Sequence, residues 1–178
     1  MTSLRPLTSD RALAFIRDQV ESGTAESPVI MFSADGGIGL VPCIDGPRPA
    51  LAELAAAIQQ GALGPVDWVL LVSDSYAVTT DADENPEPYA GRLGELFEAG
   101  DPRVSEAVMA CQISPDGPSY AVQQTYVRNP AGTDGDQFAW GEIHQLPLYD
   151  TGGALIRALR AVAYARAGRP DAEEHHEP

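Results

Sequence analysis

Trp68-Val69-Leu70-Leu71-Val72-Ser73-Asp74-Ser75-Tyr76-Ala77-Val78-Thr79-Thr80 is the stretch that decides the fold. Val69 to Val72 form an unbroken apolar run, without the alternation of a strand that has one face in water. Such a run predicts a central strand covered on both sides. Three further β-prone stretches follow close together, at 103–114, 119–128 and 137–146. Pro115-Asp116-Gly117-Pro118 is a tight turn of the kind that joins antiparallel neighbours. Upstream, Val29–Ser33 and Ile38–Ile44 flank Asp35-Gly36-Gly37, which reads as a hairpin turn.

Helical spacing accounts for the rest. Over 8–22, Leu13, Ile16 and Val20 recur on one face, Thr8, Ser9 and Asp10 offer caps and first-turn acids, and Gly23 is the stop. Pro47 and Pro49 lead into a helix at 50–60, with Leu51, Leu54, Ala55 and Ile58 on a shared face. A short helix at 91–99 would turn Leu93, Leu96 and Phe97 inward. The last, at 152–167, would turn in Leu155, Ile156, Leu159 and Val162. The order predicts an α+β fold: a largely antiparallel sheet of five to six strands, with three to four helices packed on it. Residues 1–168 are expected to form one globular domain, and 169–178 a flexible acidic tail.

Composition removes several functions. The formal charge is −15, from 26 acids against 11 bases, which argues against a nucleic-acid partner, since phosphate binding needs clustered cations. No run approaches 18 apolar residues, so no membrane span is expected. Every basic residue is Arg, which excludes Schiff-base, P-loop and general-base lysine chemistry. An Arg-only chain with 17 Gly and 15 Pro has the composition of GC-rich coding DNA. Residues 1–7 carry one base and no apolar h-region, so no secretory signal is read there. Cys43 and Cys111 lie in separate apolar stretches and read as buried free thiols of a cytoplasmic protein.

Several motifs dissolve on inspection. Gly37-Ile38-Gly39 follows a strand, but a dinucleotide fingerprint needs a helix start after it, and Leu40-Val41-Pro42 continue as strand. Asp81, Asp83 and Asn85 match the first places of a calcium loop, yet Pro86 stands where Gly must turn and Arg92 where a bidentate Glu must sit. His175 and His176 lie in the acidic tail, where no fixed coordination is expected. Neither metal nor cofactor is expected.

What remains is a set of polar residues placed on apolar strands. Strict alternation puts Trp68, Leu70, Val72, Asp74 and Tyr76 on one face, and Glu106 with Val104, Val108 and Ala110. A half-buried carboxylate is costly unless paired, and Arg103 and Arg128 are the nearest cations. A polar, partner-facing patch of Asp74, Arg103, Glu106 and Arg128 is therefore expected. The long acidic connection 81–102 adds Asp81, Asp83, Glu84 and Glu87 as contacts for a basic protein partner. The enzymatic alternative is a hydrolase-like pocket of Asp74, Glu106, Glu142 and His144. Alternation puts the last two on one side of their strand with Phe138 and Trp140. It requires all four to converge in one cleft.

Trp68, Ser73-Asp74-Ser75-Tyr76, Gly100-Asp101-Pro102-Arg103-x-x-Glu106-Ala107-Val108, Tyr126 to Arg128 and Trp140-Gly141-Glu142 together resemble small proteins of actinobacteria and their phages. The resemblance spans about residues 66–142 and brings no assigned activity. It implies a phage or GC-rich bacterial origin, and with the motif reading it favours a non-enzymatic protein-binding or accessory role. If the gene is a phage's, the compartment is the host cytoplasm. A virion structural or decoration protein is a further alternative.

Overall fold

The computed structural model describes residues 5–25, 28–81, 83–85, 87–89, 91–129, 131–132, 137–146, 148 and 153–168. Its elements run α1 (Ser9–Glu21), β1 (Val29–Ala34), β2 (Gly37–Pro42), α2 (Pro47–Gln59), β3 (Val66–Val78), α3 (Leu93–Glu98), β4 (Val104–Ile113), β5 (Tyr120–Arg128), β6 (Phe138–Leu146) and α4 (Ala154–Ala163). All six strands join one antiparallel sheet in the order β2-β1-β3-β4-β5-β6. The fold is α+β. No helix of the described residues is long and apolar enough to cross a membrane. The expected acidic tail at 169–178, with His175 and His176, lies outside the described residues.

The apolar run in β3 lies at the heart of this sheet. Val69, Leu70, Leu71 and Val72 are each at most 1 % exposed. Leu70 and Val72, with Trp68, meet Leu13, Ile16 and Val20 of α1. Val69 and Leu71 meet the opposite layer, built from Leu51 and Ile58 of α2 and Leu159 and Val162 of α4. Each large apolar side chain so buried contributes roughly 1.5–3 kcal/mol. The second layer also holds Cys43 and Cys111, both buried free thiols.

Local chemistry sets the connections. β1 and β2 join through Asp35 and Gly36, whose φ of 52° and 78° define a two-residue turn with both centres left-handed. That turn follows the natural twist of a hairpin, and Gly36 enters it without steric cost. Helix α2 starts at Pro47 rather than at the expected residue 50. Proline suits a first helical turn, because its fixed φ is already helical and no N–H is needed there. Thr8 stands at the N-cap of α1, but its hydroxyl forms no capping bond. The expected inward turn of α3 is only partial: none of its residues is fully buried, and Phe97 instead packs against Tyr76, ring centroids 4.9 Å apart.

One expectation fails in β6. Between Gln124 and Tyr126 on β5 lies one residue, while two, Gly141 and Glu142, lie between their partners Ile143 and Trp140. This bulge shifts the pleat by one place. Phe138 and Trp140 stay beside Tyr126 under α1, whereas His144 falls opposite Gln123 and shares the face of Leu146, which packs on the α2/α4 layer. The side-chain amide of Gln124 holds the bulge, donating from Nε2 to the Gly141 carbonyl at 2.8 Å.

Candidate functional site

The register of β3, β4 and β5 brings Asp74, Glu106, Tyr126 and Arg128 together on the α1 face. Asp74 pairs with Val108, Tyr76 with Glu106, and Glu106 with Tyr126. Alternation then carries Arg128 onto the same face as Tyr126, two residues on. Tyr126, itself buried, donates its phenol hydrogen to Asp74 Oδ1 at 2.7 Å and lies 3.5 Å from Glu106 Oε1. Arg128 donates from Nε to Glu106 Oε1 at 2.8 Å and from Nη2 to the Tyr126 oxygen at 3.2 Å. The same Nη2 stands 3.9 Å from Asp74 Oδ2.

The electrostatics follow from that geometry. The Asp74 and Glu106 side chains are 24 % and 16 % exposed, and two carboxylates so placed need a cation. Arg128, 52 % exposed, lies as a lid over both, with its guanidinium 5.6 Å from the Tyr126 ring and 5.8 Å from Phe138. Burial alone would lower the Arg128 pKa, and the bonds to Glu106 and Tyr126 outweigh it, so the charge is held more firmly than usual. Burial and the bond to Asp74 push the Tyr126 phenol well above the ordinary tyrosine range. The chemistry available is that of an ion-pair network whose Tyr126 hydroxyl and Arg128 Nε and Nη2 are turned to the Asp74 and Glu106 carboxylates and to each other.

An aromatic wall borders the network. Trp140 lies 4.9 Å from Tyr126 between ring centroids, and Phe138 5.9 Å. Trp140 donates from Nε1 to Glu21 Oε1 of α1 at 2.8 Å, and Arg17 lies over its ring at 4.7 Å.

Arg103 does not join Asp74 and Glu106 as expected. It grips Asp101 through Nε at 3.2 Å and Nη2 at 3.0 Å, while Nη1 donates to the Tyr89 oxygen at 2.6 Å and lies 3.7 Å from Glu84 Oε1. Tyr89 in turn donates to Glu84. The reason is local: Asp101 accepts the Arg103 backbone N–H as well, so the turn into β4 presents its carboxylate to the guanidinium beside it. The bonds from Arg103 hold the Asp101 carboxyl below its usual range, and the Tyr89 bond does the same for Glu84. The connection from β3 to β4 is thereby folded back on its own arginine. Glu84 is engaged, Asp81 and Asp83 stay in solvent, and the side chain of Glu87 lies outside the described residues.

Glu142 and His144 are exposed and stand apart from this network. His144 lies on β6, three strands or about 14 Å of sheet width from β3, and on the other face from Asp74. Four-way convergence with Asp74 and Glu106 does not occur. Among the described residues no group of three or more His, Cys, Asp or Glu could hold a metal ion. Sequence reasoning missed Tyr126, the hub of the network, and Tyr89, its counterpart under Arg103. Alternation could have found the first, since Tyr126 precedes Arg128 by two places.

Comparison with models of protein families, with curated proteins and with solved structures found no match.

Proposed function

We propose that the protein is a non-enzymatic protein-binding or accessory protein, acting in the cytoplasm of a GC-rich bacterium or of a phage's host, and that its partner is basic. The observation that carries this reading is the closure of the Asp74–Tyr126–Arg128–Glu106 network. A general acid or base must have a free lone pair or proton aimed at a substrate, and here Asp74 Oδ1, Glu106 Oε1, the Tyr126 hydroxyl and two of the Arg128 nitrogens are each directed at a neighbour in the same fold. The charge of −15 is carried mostly outside that network, and it raises the encounter rate with cationic surfaces.

The test is affinity capture from an extract of the source cells, followed by reconstitution of purified protein with each captured candidate. The expected result is a defined complex that weakens as salt rises and weakens again in the D81N/D83N variant. Hydrolytic turnover of model esters or phosphoesters that vanishes in D74N or E106Q would overturn the reading in favour of the enzyme.

A further inference from the structure

The two ends of the sheet are built differently. At one edge, β6 carries a bulge, Glu142, His144 and Gln145, the charged and kinked devices that discourage pairing. At the other, β2 reads Gly37-Ile38-Gly39-Leu40-Val41-Pro42, regular in register and without one charged side chain. Its outer side has no strand partner among the described residues.

The hairpin fixes which backbone groups face outward. A two-residue turn makes Ala34 and Gly37 a hydrogen-bonded pair, and bonded and non-bonded pairs alternate from there. Ile38 and Leu40 therefore point their N–H and C=O groups away from β1, and Pro42 points its C=O outward. Ile38 and Leu40 are also 55 % and 61 % exposed. Their partners Ser33 and Met31 lie on the α1 side of the sheet, and the apolar layer under α1 takes in Val29 and Met31 of β1 but no residue of β2. One short stretch thus offers an unpaired backbone ladder and bare apolar side chains together.

Charge decides the occupant. Asp35 and Asp45, both exposed, stand at the two ends of this neutral edge. If a second copy paired antiparallel about Leu40, Asp35 would lie opposite Asp45 of the partner copy; about Gly39, the two would be diagonal neighbours. Like charges so placed are destabilising, and each chain already carries −15. The tail at 169–178 contains Asp171, Glu173, Glu174 and Glu177 and meets the same repulsion. We propose that the open edge of β2 takes up an extended apolar segment of another protein, flanked by basic residues, as a seventh strand. This deepens the protein-binding reading and rests on it. Main-chain bonds to Ile38 and Leu40 supply affinity, their side chains prefer apolar partners, and Asp35 and Asp45 select basic ends.

The probe is a short peptide of alternating valine and threonine with arginine at both ends, set against the same peptide with glutamate ends. Binding is followed by amide exchange and chemical shifts in the full-length protein. The basic-ended peptide is expected to bind and to slow exchange at the Ile38 and Leu40 amides, and the acidic-ended one to bind at least tenfold more weakly at low salt. Leu40→Pro removes an outward N–H without breaking the β1 ladder, and is expected to weaken binding about tenfold. Ile38→Lys, which keeps every backbone group, is expected to weaken it as well and guards against misfolding of the proline variant. Binding that leaves Ile38 and Leu40 unprotected overturns the proposal. So does a dimer in sedimentation that Leu40→Pro dissociates, or binding that appears only once 169–178 is removed. A captured partner that binds the Leu40→Pro protein undiminished would sink the strand-addition site and leave the protein-binding reading standing.

Discussion

Tyr126 on β5 reaches across β4 to Asp74 on β3 and donates its phenol hydrogen at 2.7 Å. Two strand spacings, about 10 Å, separate their backbones. Only a long side chain with a terminal donor makes that span, and its oxygen also receives Arg128. Tyr126→Phe keeps the ring packing against Phe138 and Trp140 but strips both bonds. It is expected to lower stability by about 1–3 kcal/mol. Urea unfolding checks this, and a loss under about 0.5 kcal/mol would show the hydroxyl to be dispensable to the fold.

The Arg128–Glu106 pair yields to a double-mutant cycle. Glu106 is mostly buried and Arg128 about half exposed, so solvent screens the pair from one side. A coupling of about 0.5–1 kcal/mol is expected between Arg128→Ala and Glu106→Gln. Arg128→Ala alone should cost more, since it leaves Asp74 and Glu106 facing each other without their cation. Equal single-variant losses that simply add would mean the two residues act apart.

Much of this site was legible in the sequence, because period-two alternation survives wherever the pleat is regular. Asp74, Glu106 and Arg128 come together as expected since β3, β4 and β5 pair without a register shift. Glu142 and His144 do not: β6 lies three strands from β3, and the extra residue at the Gly141–Glu142 bulge turns His144 to the other face, which composition does not mark. Arg103 escaped for another reason. Its sequence has acids on both sides, Asp101 and Glu106, and the geometry of the turn at Asp101 chose between them. The core was the easiest part: the run at Val69–Val72 admits no wet face, and it has none.

Burial pushes the Cys111 thiol up to about 12. In the unfolded chain a cysteine titrates near ~8.5. The folded state thus holds a proton that the unfolded state releases above that pH, so this contribution is complete below about pH 8.5 and is lost as pH climbs towards 12. The stability of Cys111→Ala should therefore fall less steeply than wild type in that window. In native protein at neutral pH, Cys111 should react with a thiol reagent only as fast as the protein opens. Rapid native labelling at Cys111 would contradict its burial.

Gly39 lies under the ring of Phe32, its partner on β1. A Cβ there would overlap Phe32 Cζ, so a side chain must lift the ring off the α2/α4 layer it packs against. Gly39→Ala is expected to cost about 1–3 kcal/mol through overpacking. Phe32→Leu in the same chain should recover part of that loss by vacating the space. Non-recovery would mean that Gly39 is needed for its backbone rather than for its missing side chain.

Arg103 closes the connection between β3 and β4 by holding Asp101, Tyr89 and Glu84 at once. These groups lie near the surface, so their loss should open the connection and leave the sheet intact. Arg92, exposed in the middle of that connection, serves as a built-in reporter. In Arg103→Ala, trypsin is expected to cleave after Arg92 several-fold faster, because local opening exposes the bond more often. The thermal midpoint of the body should move little, since α1, α2 and α4 pack elsewhere. Tyr89→Phe, which keeps the ring beneath the guanidinium but drops its bond to Glu84, should raise the cleavage rate by a smaller factor. Cleavage at Arg92 that is unchanged in both variants would mean that the connection is held by Phe97 on Tyr76, with the arginine incidental.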